Sequence, residues 1–503
     1  MKTILRSARV IAGPEQRYRP DPLDVVLEGD RIIALEAAGS VPAHAGDTVV
    51  DLAGCLLAPG LINGHQHSHE HFHKGRLENL PLELWMHYVR APHAVRLTPR
   101  QVYLRTMIGA LEALRSGATT VVDDVNLGGT IDPAAVDALF QAYDDAGVRA
   151  IVGFSMMDRA LVDNFPDVDA IFPPELLARM RALPRPTPDA WFDFLESQLP
   201  ARHPQQNRVG ILVAPSAPQR CTPAFLARCR AFADRHALPV IIHVQETRLQ
   251  VVTAQAFYGK PMVAWLDDQR FLQPGTSLIH AVWLSADEIH RIAERGASVQ
   301  HNPWSNLMLG SGVQPVRELL DAGINHSLGS DGCASTHTSN MLNVVGSAAA
   351  LSKIRGDDYS RWLSAAEAFD AGTRGGARAL GMEGQLGAIA PGYRADLVAY
   401  RTDTLAFTPL NDPVRQLVYA ERGGAIDSVF VAGRCVMRAG RCVMPAGVDE
   451  AALLREINDA HASLTEEFAR GDASVAPLRA AMEQVHQRAM ALQAGWRTYP
   501  AKL

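Results

Sequence analysis

Five of the chain's 18 histidines stand at alternate positions in one short segment: His65, His67, His69, His71 and His73. Further along, His243 is followed three residues later by Glu246, while His280, His301 and Asp331 each close a short apolar run. Alternate residues of an extended strand point to the same side, so His65 and His67 can grip one ion with two imidazoles. With His243 and Asp331 they make three nitrogens and one carboxylate, an open set that leaves a place for water and suits a catalytic metal. A divalent cation held this way brings the pKa of a bound water towards neutrality. Glu246 is then placed to shuttle a proton from that water to a leaving group, and His280 to orient the water or polarise the reacting carbon.

These residues can cooperate only if a scaffold gathers them. The long middle of the chain alternates buried-looking strands with helical patterns. The strands are CLLAPGLIN, ATTVVDDV, VRAIVGFSMM, VGILVAPS, PVIIHVQE, SLIHAVW, ASVQHNP and INHSLGSDG. Several intervening helical patterns end in Gly just before the next strand, a C-cap signal. Continuous apolar strands belong to parallel sheets covered on both faces, and eight of them predict an α/β protein with a closed (β/α)8 TIM-like barrel. An open doubly wound sheet makes the same local pattern, but no GxGxxG follows the first strand. In a barrel, chemistry sits at the C-terminal strand ends, and the residues singled out above fall at those ends. Short strands at both chain extremities predict a small β-sandwich from residues 1–56 and 385–445. The catalytic barrel then spans 57–384, and polar helical sequence from 446 to 503 forms a C-terminal extension.

Composition narrows the function further. Forty-eight Lys and Arg against 54 Asp and Glu give a net charge of −6 with no basic run, which argues against nucleic acid as a partner. No stretch approaches the ~20 apolar residues of a membrane span. The opening residues MKTILRSARVIA are broken by Arg6 and Arg9 and do not read as a signal peptide. Six scattered cysteines without CxxC spacing suit reduced thiols, so the expected location is cytoplasmic.

Taken together, APGLINGHQHSHEHF, VIIHVQETRL, SLIHAVWLS and HNPWSNLMLGSGVQPVRELLDAGINHSLGSDGCAS resemble the amidohydrolase superfamily. Within it the chain is similar to the cytosolic branch of guanine, adenosine and adenosylhomocysteine deaminases and s-triazine chlorohydrolases and aminohydrolases. The resemblance runs from Met1 to about Val443, and GQLGAIAPGYRADLVAYR resembles the family's return strand. It implies that His65, His67, His243 and Asp331 ligate one divalent metal ion per chain. It also implies that Glu246 is the proton shuttle, that His280 contacts water or substrate, and that Asp331 can accept a proton from the attacking water. The fourth strand, VGILVAPSAPQRC, lacks the Lys or Glu that bridges two metals in binuclear relatives. Ser216 stands where family members often carry His. Zinc is the first choice for three imidazoles and a carboxylate, although iron, manganese or cobalt also accept these ligands.

The expected activity is aminohydrolysis (deamination) of a planar N-heterocycle such as an aminopurine, pterin or s-triazine, using hydroxide generated at the metal. The alternative at the same site is dechlorination of a triazine-like ring, or cleavage of an amide or urea-type C–N bond. The partners expected are a small heterocyclic substrate and water, and the resemblance implies a homodimer or homotetramer. Substrate contacts are expected from His301 at the seventh strand, Trp85 walling the pocket, Gln219 and Arg220 reading a polar edge or carboxylate, and Trp304 and Asn306 after the seventh strand. His69, His71 and His73 would align with the ligands only if their strand continued, and HKGRLENLPLELWM reads as a loop entering a helix. They are expected to be structural, and the glycines at 309–312 to serve a turn rather than a phosphate.

Overall fold

The computed structural model describes residues 1–12, 19–445 and 449–492. Its centre is a closed parallel barrel. The first four strands, Leu61–His67, Ala118–Val125, Arg149–Phe154 and Val209–Leu212, pair in order. So do the next three, Val240–Val244, Thr276–His280 and Ser298–His301, followed by His326–Leu328. A parallel bridge from Val213 to Val240 joins the two halves on one side. On the other side the eighth strand is split. His326–Leu328 pairs with the seventh strand, whereas Asp331–Gly332 pairs with Gln66 and His67 of the first. Asp331 takes a left-handed φ of 62° at this break.

Strands buried on both faces explain the continuous apolar runs. Ile62, Val122, Ile151, Leu212, Ile241 and Ile279 point inward and form one cluster that fills the barrel floor. Their alternates, such as Val121, Val152, Ile211, Ile242 and Leu278, pack outward against the helices. Helix Pro99–Arg115 starts with a capping box between Thr98 and Gln101, and helix Ala286–Arg295 with one between Ser285 and Glu288. The histidines and carboxylates singled out by the sequence lie at the C-terminal strand ends, above the apolar floor.

Strands from both chain ends form a nine-stranded sheet that wraps its own core of Leu5, Val25, Leu57, Leu397 and Phe430. The two contributions meet where Cys55–Pro59 pairs antiparallel with Leu397–Arg401. Cys55–Pro59, expected at the start of the first barrel strand, belongs to this sheet, and the barrel begins at Leu61. Sheet and barrel are pinned by a buried ion pair. Arg149 Nε donates to Asp396 Oδ2 at 2.9 Å and Nη2 to Oδ1 at 3.1 Å, while Ala432 N–H also donates to Oδ1.

The C-terminal sequence forms helices Glu450–Ala462 and Thr465–Ala491, the second running through Pro477. Leu478, Met482, Val485 and Ala489 of the long helix pack on Val162, Phe165, Leu249 and Val252, so it covers loops at the barrel mouth. His486 Nδ1 lies 3.6 Å from the buried Glu83 carboxylate. Residues 446–448 and 493–503 of the expected extension lie outside the described residues. No described helix is long and apolar enough to cross a membrane, and all six cysteines are free.

Candidate metal centre and active site

The alternation in the first strand ends at His67, where the chain turns into the 3-10 helix Ser68–His73. His65 and His67 therefore face the barrel axis together. Their Nε2 atoms stand 3.6 and 3.3 Å from Asp331 Oδ1, which the split eighth strand brings alongside. Ligand atoms of His65, His67 and His243 fall within 4.8 Å of one another, as do those of His65, His280 and Asp331.

This donor set fits a divalent ion. His67 Nδ1 donates to the Asp124 carbonyl at 2.7 Å and His243 Nδ1 to the Ser216 carbonyl at 2.8 Å, so both present Nε2 to the centre. His65 is fully buried and neither of its nitrogens has a hydrogen-bond partner, a costly arrangement for an imidazole that binds nothing. Burial first, then the neighbouring histidines, holds His65 and His243 well below the usual imidazole pKa, which keeps their lone pairs available. Burial opposes a charge on His67, yet hydrogen bonding to Asp331 together with the Glu70, Asp331 and Asp124 carboxylates outweighs it and pushes the pKa to about 10, so a positive charge is favoured at this spot.

Opposite the ligands, Glu246 Oε2 lies 3.5 Å from His280 Nε2, and Asp331 Oδ2 lies 3.8 Å from the same nitrogen. Burial, and then the Asp331 carboxylate, pushes the Glu246 carboxyl well above its ordinary range. Its Oε1 is buried without a partner. His280 is pushed down to about 4, mainly by burial. Asn306 Nδ2 donates to its Nδ1 at 3.1 Å, which leaves the Nε2 proton facing the two carboxylates.

A cavity opens above this group. Leu82, Trp85, Met86, Val89 and Leu309 form apolar walls, and Glu70, Arg90 and Arg220 add charge. Trp85 is held by its Nε1 donating to the Ala334 carbonyl at 3.0 Å. Four expected substrate contacts are placed otherwise. His301 does not line the cavity: Gln300 and Asn302 take the inward positions of the seventh strand, and His301 lies 5.7 Å from His326 in the outer layer. Gln219 is buried beside the cavity, because the three-residue turn Pro218–Arg220 sends only Arg220 into it. Trp304 is 38% exposed and bonds the Thr336 carbonyl. Asn306 meets His280 rather than the space for substrate.

Glu70 and Arg90 escaped sequence reasoning. A 3-10 turn eclipses residues three apart, so Glu70 returns to the side of His67, and a turn directly after an HxH strand end was the available signal. Glu70 Oε2 accepts the Ala334 N–H at 3.2 Å and lies against Gly332, where a Cβ would fall 1.8 Å from it. His69 Nδ1 accepts the Asn126 N–H, and His71 bonds the Ser68 carbonyl and Ser339, so these two are held by structural contacts. His73 stacks edge-on to Phe468 of the long C-terminal helix.

The amidohydrolase family model matches residues 56–436. A 5-methylthioadenosine/S-adenosylhomocysteine deaminase of Thermococcus kodakarensis is 33% identical over 437 residues, covering 87% of this chain and 94% of that one. An adenosine deaminase from Xanthomonas campestris, solved with bound zinc, superposes with a TM-score of 0.79 at 28% identity over 92% of this chain and 98% of its own. The zinc complex of atrazine chlorohydrolase from Arthrobacter aurescens TC1 shares the fold, with a TM-score of 0.81 at 24% identity over 91% of this chain and all of its own. The chain is a hydrolase of the amidohydrolase family.

Proposed function

We propose that this protein is a metal-dependent aminohydrolase that releases ammonia from the C–N centre of a planar nitrogen heterocycle. The observation that carries the reading is the gathering of His65, His67, His243 and Asp331 at one end of the barrel, with Glu246 and His280 beside them under a small cavity that has both charged and apolar walls. The deaminase relatives support the same bond, and two zinc-bound structural neighbours support zinc as the ion.

His65, His67, His243 and Asp331 would hold a divalent ion, which would supply the activation of a water molecule and the polarisation of the reacting centre. Glu246 accepts a proton from that water. Its raised pKa lets it hold the proton, in a buried position, until it passes to a ring nitrogen or the departing amine. The His280 Nε2–H, fixed by Asn306, orients the attacking oxygen and stabilises charge that develops on the substrate. Trp85, Met86 and Leu309 exclude bulk water and flank the ring.

The test pairs metal analysis with an ammonia-release screen over aminopurines, pterins, pyrimidines and triazines. About one metal per chain with ammonia from one ring class is expected, and Glu246→Gln should keep the metal while turnover falls ~10²–10⁴-fold. Chloride release in place of ammonia, or full turnover in Glu246→Gln, would overturn the proposal.

A further inference from the structure

Two guanidinium groups face the cavity without a carboxylate partner. Arg220 is 5% exposed; its Nη1 donates to Ser216 Oγ at 3.1 Å, its Nη2 meets only the Met86 sulfur, and its Nε has no partner. Arg90, at the end of helix Leu82–Val89, has a buried Nη1 that is also unpartnered. Among the described residues neither forms an ion pair. The same fold neutralises the buried Arg149 with a two-pronged Asp396 contact, which the pair in the cavity lacks.

Burying a guanidinium without an anion is costly, and two within one cavity also repel. Consistently, burial and then Arg90 push the Arg220 pKa down to about 10. Glu70, Glu246 and Asp331 also line the cavity. None of the three pairs with either guanidinium, so a negatively charged group on the substrate would supply the counter-charge they lack.

We infer that Arg90 and Arg220 form an oxyanion-recognition site, so that the preferred substrate is an N-heterocycle carrying a planar oxyanion, either an attached carboxylate or an ionised ring lactam. The fork of N–H donors on Arg matches both. The inference rests on the proposed reading of the same cavity and adds the substrate's charge to it.

The test uses metal-loaded Glu246→Gln protein, which binds without turning over, titrated with pterin and pterin-6-carboxylate, and with cytosine and cytosine-5-carboxylate. Pterin binding is also measured below and above the pH of its ring ionisation. A carboxylate source predicts about 10- to 100-fold tighter binding of a carboxylated ring than of its parent, and a lactam source predicts that gain for ionised pterin. Adding Arg220→Gln, or the less buried Arg90→Gln, should erase the preference while metal content stays at one per chain. The inference is overturned if neutral and anionic forms bind alike, if no anionic probe binds, or if the preference survives both substitutions. Equal ammonia release from anionic rings by the wild type and Arg220→Gln would also overturn it while leaving the hydrolytic reading intact. Absence of ammonia release from every ring, charged or neutral, would instead count against that reading.

Discussion

Gly332→Ala adds one methyl group immediately after a proposed metal ligand. The backbone there is extended, with φ −82° and ψ 144°, so alanine meets no conformational penalty. The new Cβ would lie 1.8 Å from Glu70 Oε2 and 2.3 Å from its Cδ, far inside contact distance. Glu70 is 2% exposed and tied to the Ala334 N–H, so relief must come from moving that carboxylate or the Asp331–Gly332 backbone. Overpacking of this kind costs ~1–3 kcal/mol, equivalent to roughly 5- to 150-fold in metal affinity if the strain falls on Asp331. Competition with a chelator, read by metal analysis and by the melting temperature of the loaded protein, measures the loss. Removing the obstructing carboxylate in Glu70→Ala/Gly332→Ala should restore metal affinity to that of Glu70→Ala alone, the signature of two residues coupled by contact. Undiminished affinity in the single alanine variant, or strictly additive losses in the double, would refute the reasoning.

Asp396→Asn leaves Arg149 buried with its charge uncompensated, and denaturant unfolding should show a loss of ~3–5 kcal/mol with the metal site intact. His486 gains a raised pKa from the Glu83 carboxylate, against the effect of burial. Its contribution to docking of the long helix is therefore fully present below about pH 6.5 and disappears as pH rises through the elevated value. The stability difference between the wild type and His486→Gln should accordingly be positive at pH 5.5–6.5 and vanish in alkaline solution; a difference that grows with pH would contradict the contact.

The eight barrel strands were legible because parallel strands buried on both faces leave uninterrupted apolar runs, and the histidines that break those runs mark the catalytic end. The same logic misplaced Cys55–Pro59, since a strand buried in the outer sheet has the same apolar texture as a barrel strand. His301 shows a second limit. Alternation fixes which residues share a face but not which face looks inward, and in the seventh strand the inward parity belongs to Gln300 and Asn302. Glu70 and Arg90 reach the cavity through a 3-10 turn and a helix terminus, where neither two- nor 3.6-residue periodicity applies. The long helix passes through Pro477, a residue that reads as a breaker, because packing of Leu478 and Met482 outweighs one lost hydrogen bond.

The sheet built from both chain extremities also constrains the protein's birth. Cys55–Pro59 leaves the ribosome some 340 residues ahead of its partner Leu397–Arg401, a delay of roughly 20–70 s at ~5–20 residues per second. Throughout that interval an apolar strand carries an unsatisfied hydrogen-bonding edge, the configuration most prone to pairing with another nascent chain. Yield in a cell should therefore be governed by translation speed and chaperone supply more than by the stability of the finished fold.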